Sequence, residues 1–103
     1  MINVLIYLKQ KHDSKQLVAT LLTEKLIASA SIDQNNVSYK LTDGLLSEEI
    51  YSVITAQSKS LLLNDIIKKV DELIGEEVPV NSIPIVGSNK AFDNSIRSKT
   101  LPT

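Results

Sequence analysis

The sequence predicts an α+β fold, one antiparallel sheet with two helices on one face and a short C-terminal helix. Short, β-branched or alternating runs surround two longer segments whose apolar residues recur at helical spacing. An Asp-Gly pair at 43–44 marks a hairpin between the middle runs. The length of 103 residues suits a single domain, 1–103.

The first run, "INVLIYLK" (2–9), is apolar on both alternating faces, so this strand is expected to be covered on both sides. The next segment, 13–28, places Leu17, Val18, Leu21, Leu22 and Leu26 at helical spacing, with Asp13 and Gln16 in a capping-box pattern. "ASASID" (28–33) reads as a thin strand and "QNN" (34–36) as a turn. "VSYKLT" (37–42) alternates again before the Asp43-Gly44 hairpin. "LLSEE" (45–49) then leads into "EIYSVITAQ" (49–57), with a bulge or bend expected near Ser47, where acids interrupt the alternation. The second helix spans 58–75, with Leu62, Ile66, Val70 and Leu73 on one face, Ser58 or Ser60 as its cap, and Gly75 as its left-handed stop.

"GEEVPVNSIPIV" (75–86) supplies the last strand. Proline cannot donate to a ladder, so Pro79 and Pro84 imply an edge or broken strand, with a break expected near Asn81–Ser82. Residues 88–99 form a short helix anchored by Phe92 and Ile96. The order β-α-β-β-α-β is the split βαβ, ferredoxin-like sandwich. Right-handed crossovers place both helices on one face. The other face carries apolar residues of the first strand, which points to self-association.

Composition excludes several functions. There are 11 basic and 12 acidic residues, a formal charge of −1, and few aromatics (Phe92, Tyr7, Tyr39, Tyr51). That combination suits neither a phosphate backbone nor base stacking, so no nucleic-acid partner is expected. No apolar run reaches bilayer-spanning length and no leader pattern precedes the first strand, so no membrane partner and a cytoplasmic location are expected. With no cysteine and one histidine, disulfides, thiolate nucleophiles and Ser-His-Asp chemistry are disfavoured, and no catalytic residue, metal site or cofactor is assigned.

"LLTEKLIASASID", the Gly-closed hairpin, "SEEIYSVITAQS" and "EEVPVNSIPI" together resemble the CutA family of divalent-cation tolerance proteins. The resemblance rests on Glu24, Leu26, Ala28, Ser38, Gly44, Glu49 and Val78–Pro79, and covers nearly the whole chain. It implies a ferredoxin-like fold and a compact homotrimer, in which long hairpins from one subunit extend the neighbouring sheets. The chain departs from the family at positions of suspected metal or ligand contact. Ser29 replaces a cysteine, Thr42 an aromatic tip, Thr55–Ala56 a Lys-Thr pair, Ile74-Gly75-Glu76 a His-Pro-Tyr sequence, and Val80 a glutamate.

Candidate site residues follow from both readings. His12 would need partners such as Asp13 or Glu24 to hold a metal, and reads instead as a polar loop residue. The pairs Glu48–Glu49 and Glu76–Glu77 would point to opposite sides if extended, so neither acts as a unit. Tyr39, Lys40 and Tyr51 are candidates to line an intersubunit cleft for a small ligand or a weakly held cation, or to pack an interface. The resemblance places Glu49 and Glu77 near the same subunit contacts. The function expected is a non-enzymatic binding or scaffold protein. The alternatives are a small-molecule sensor like the PII signalling proteins and an enzyme of the ferredoxin-like-barrel kind, using carboxylates, Tyr7 or a lysine on the open sheet face.

Overall fold

The computed structural model describes residues 1–103. The elements run β1 (Ile2–Lys9), α1 (Ser14–Thr23), β2 (Ser29–Thr42), β3 (Leu45–Ser58), a 3₁₀ turn (Ser60–Leu62), α2 (Leu63–Ile74), β4 (Val80–Pro84) and α3 (Lys90–Lys99). The strand order is β2-β3-β1-β4, with every pair antiparallel, which is the ferredoxin-like arrangement.

Period-two alternation divides β1 cleanly. Ile2, Val4, Ile6 and Leu8 are buried, and directly opposite them on β3 lie Ser58, Ala56, Ile54 and Ser52. This side meets Leu17 and Leu21 of α1 and Leu62, Ile66 and Val70 around α2, closing the core with Leu26, Ile27 and Val78. The other side of β1 (Asn3, Leu5, Tyr7) is only half-buried. There Tyr7 and Tyr51 meet edge to face at 6.4 Å and 87°. Of the two expected anchors in α3, Ile96 is fully buried, whereas Phe92 remains 38% exposed. Within one chain the expected second cover of β1 is therefore incomplete.

Local differences from the sequence reading have definite causes. Helix α1 starts as expected, with Asp13 accepting from the Gln16 N–H at 3.0 Å. It stops at Thr23 rather than running to 28, because Lys25 adopts a left-handed φ of 58°. Its N–H then bonds Leu22 O and the Leu26 N–H bonds Leu21 O, a Schellman closure built without glycine. Residues 34–36 are not a turn. They lie within the single strand β2, where Gln34 and Asn35 oppose Ser52 alone between the pairs Asp33↔Val53 and Asn36↔Tyr51. That two-against-one step is the bulge, so the break expected near Ser47 is absent and Lys40↔Ser47 pair in unbroken register. Asp43 (φ 52°) and Gly44 (φ 77°) close the hairpin with two left-handed residues, the requirement of a type I′ turn.

Neither Ser58 nor Ser60 caps α2. Leu62 occupies that place without a side-chain bond, and the buried Ser58 hydroxyl donates to Leu26 O at 2.6 Å. Gly75 does end α2, with φ 79°. Strand β4 pairs only with β1 and runs without interruption through Asn81 and Ser82, so the expected break there is not found. Pro79 O still accepts from the Tyr7 N–H, and the Ile85 N–H donates to Met1 O. By alternation, residues 79, 81, 83 and 85 face β1, and the missing donor of Pro84 points to the free edge.

Candidate functional site

Strand β1 ends its pairing with β3 at Lys9↔Tyr51. Beyond that point β2 and β3 have only each other, from Asn36 to Ile50. This two-stranded arm extends about 20 Å at the usual rise per residue and lengthens a molecule measuring 46 × 28 × 21 Å. Alternation along β3 places Ile50, Glu48 and Leu46 on the helix side of the sheet, opposite Val37, Tyr39 and Leu41. No helix reaches them, and Leu41 and Leu46 are more than 70% exposed. The opposite side carries Asn36, Ser38, Lys40, Thr42, Leu45, Ser47, Glu49 and Tyr51, and is mostly polar.

The expected site residues therefore separate. Glu49 and Tyr51 come together, the Tyr51 hydroxyl donating to Glu49 Oε2 at 2.8 Å. That bond to a carboxylate pushes the Tyr51 phenol above its ordinary pKa, with burial adding to it. Lys40 lies on the same side but further out, opposite Ser47. Tyr39 lies on the other side, where the neighbouring Glu48 carboxylate raises its pKa. Glu77 is exposed in the α2–β4 connection and belongs to neither side of the arm.

A second polar cluster forms where the β1–α1 loop meets the end of α2. His12 Nε2 lies 3.0 Å from Glu76 Oε1, with Lys11 Nζ at 3.9 Å and Lys9 Nζ at 4.0 Å from the same carboxylate. The partner of His12 is thus Glu76, not Asp13 or Glu24. The His12 hydrogen bond, with the two ammonium groups behind it, holds the Glu76 carboxyl below its ordinary pKa. This cluster fastens the loop to α2. No three of the chain's His, Asp and Glu side chains gather as a metal-ligand set.

The sequence reading did not single out Ser14 and Ser52. Both are buried and both line a cleft of about 360 Å³ between the start of α1 and the β2 bulge. A serine count carries no such signal, because the cleft exists only once three separate segments are in register.

The order of strands, the long hairpin arm and the C-terminal helix define a ferredoxin-like fold. More particularly, the chain has the CutA fold. It superposes on CutA1 from Oryza sativa with a TM-score of 0.87 at 21% identity, covering 99% of this chain and 94% of that one. The periplasmic divalent cation tolerance protein CutA from Archaeoglobus fulgidus gives 0.84 at 19% identity, covering 96% and 98%. The PII-like protein CutA from Nostoc sp. PCC 7120 gives 0.82 at 15% identity, covering 98% of each. No protein-family model and no curated protein matches the chain. No helix is long and apolar enough to cross a membrane.

Proposed function

We propose that this chain is a divergent CutA-type protein that works by binding and assembly rather than catalysis. It acts as a cytoplasmic homotrimer whose subunits are joined by sheet extension. The observation that carries this reading is the arm. An isolated two-stranded hairpin is marginally stable in water, yet this one leaves Val37, Tyr39, Leu41, Leu46 and Ile50 between 42% and 72% exposed. A neighbouring subunit supplies the missing cover. The free edge of β4, open except at Pro84, offers backbone groups for an incoming strand. Glu49 and Tyr51 on the polar side, with Lys40 further out, would then line an intersubunit cleft for a small ligand or a weakly held cation, while Tyr39 packs in the interface. Light scattering at micromolar concentration tests the assembly. A mass three times 11.3 kDa is expected, and a clean monomer or dimer overturns the reading.

A PII-like small-molecule sensor is the second reading, supported by the likeness to the Nostoc protein. The two-residue turn at Asp43–Gly44 weighs against it, since the arm lacks a long effector-reading loop. A thermal-shift screen separates the two: a ligand that both stabilises the trimer and changes the exposure of the arm favours a sensor, and stabilisation alone favours a scaffold.

A further inference from the structure

Four polar residues of this chain are more than nine-tenths buried: Ser14, Ser52, Ser58 and Thr100. Two are satisfied internally, Ser58 by Leu26 O and Thr100 by Ile96 O, both at 2.6 Å. The hydroxyls of Ser14 and Ser52 make no hydrogen bond within the chain, although buried polar groups ordinarily find partners. No fully enclosed side-chain nitrogen or oxygen lacks a partner, so both hydroxyls retain an opening. Both line the same cleft, with Gln10, His12, Asp13, Lys15, Gln34 and Asn35.

We propose that this cleft binds the phosphate group of a small phosphomonoester. Its lining contains no hydrophobic residue, which excludes an apolar ligand. The ten-residue helix α1 begins at its rim, directing the positive end of its dipole into the space. Asp13 satisfies the N–H groups of Gln16 and Leu17, leaving those of Ser14 and Lys15 without partners. Two backbone donors, two unpaired hydroxyls and Lys15, whose ammonium makes no ion pair, belong to residues that line the cleft from α1 on one side and β3 on the other. Asp13 is the only acidic residue in the lining, and its Oδ1 is turned to its own helix. His12 Nε2 is held by Glu76, and Gln10 Nε2 ties the two walls by donating to Gln34 O. This donor-rich set, with one ammonium and no carboxylate cluster, suits a compact oxyanion and not a hard cation. The volume of about 360 Å³ leaves room for a small organic group beyond the phosphate.

The test is an NMR titration of the full chain at constant ionic strength. Its three arms are inorganic phosphate, glycerol phosphate and succinate. Saturable shifts at Ser14, Lys15 and Ser52 are expected with both phosphates, with glycerol phosphate at a dissociation constant of about 1 mM or tighter. Tighter binding of glycerol phosphate than of inorganic phosphate identifies the ester; the reverse order overturns it in favour of the free ion. Ser52→Ala should weaken binding about tenfold, as loss of one hydrogen bond to a charged group does. The exposed change Lys15→Gln, which does not endanger folding, should weaken it by a similar factor. Shifts that stay linear, or that are unchanged in both variants, overturn the site. Equal or stronger binding of succinate overturns the assignment to phosphate.

Discussion

Strands β2 and β3 run through two regions that obey the same alternation and meet opposite fates. In the body of the sheet, Ile54 and Ala56 turn toward the helices and are completely buried. In the arm, Ile50 and Leu46 of the same strand turn the same way and are 42% and 71% exposed. The residue types are alike; the difference is whether the chain supplies a cover. Periodicity therefore specifies which side is apolar, not what packs on it, and the arm carries an apolar pattern that this chain leaves uncovered.

The strongest way to break this comparison is Ile54→Asp. A carboxylate at a fully buried site with no partner should cost about 4 kcal/mol or more, close to the whole stability of a small domain. Circular dichroism should show an unfolded or severely weakened chain, whereas a native melting temperature would refute the central-strand placement. Leu41→Lys with Leu46→Lys makes the contrasting change in the arm. The far-ultraviolet spectrum should remain native while the mass falls to that of one 11.3 kDa chain. An unchanged mass would mean that the exposed side of the arm is not the contact.

Acid titration sharpens the comparison at the corner that fastens the body. The folded-state pKa of Glu76 lies below its unfolded value because of His12, Lys11 and Lys9. Its stabilising contribution is therefore present above the ordinary glutamate pKa of about 4.3 and is lost as pH falls through the lower folded value. Glu76→Gln should remove that part of the acid slope, seen as a flatter dependence of melting temperature on pH below this range. An identical slope would show that the cluster is screened into irrelevance.

The smallest effect compares two left-handed residues. Lys25 holds φ 58° at the end of α1, a conformation that costs a side chain roughly 1 kcal/mol. Lys25→Gly should relieve part of this and raise the melting temperature by a few degrees. Asp43→Gly at the tip of the arm should gain less, because aspartate tolerates the left-handed region. Equal gains at both positions would show that side-chain identity does not govern the strain.

Much of the fold was legible because burial enforces it. Ile2, Val4, Ile6 and Leu8 alternate because one side of β1 is sealed, and Ile66 and Val70 recur because α2 has one inward face. The misread points are those where one composition serves two geometries. Gln34, Asn35 and Asn36 suit a turn or a bulge, and only the partner strand decides. The stop of helix α1 at Lys25 carries no glycine, so apolar spacing alone extends the helix on to 28. Ser58 and Ser60 both suit a cap by residue type, and nothing local shows that the Ser58 hydroxyl faces Leu26 instead. At the site, Glu49 and Tyr51 were brought together because residues two apart on a strand share a side. Tyr39 fell on the other side because the bulge lies between it and the body. The open hydroxyls of Ser14 and Ser52 depend on how β1, β2 and β3 align, which no single segment encodes.

That bulge also acts as a parity switch. Before it, the even-numbered residues Ala30 and Ile32 of β2 face the helices; after it, the odd-numbered Val37, Tyr39 and Leu41 do. One extra residue thus shifts which numbers of β2 are apolar while keeping them on the same side as the even-numbered series of β3, which continues unswitched. Deleting Asn35 would leave Gln34 alone opposite Ser52, a regular ladder in which Val37, Tyr39 and Leu41 still oppose Ile50, Glu48 and Leu46. What it would remove is the local bend and added twist that set the direction of the arm. In a lineage of such chains, gain or loss of this one residue would re-aim the arm as a unit without changing the residues it presents.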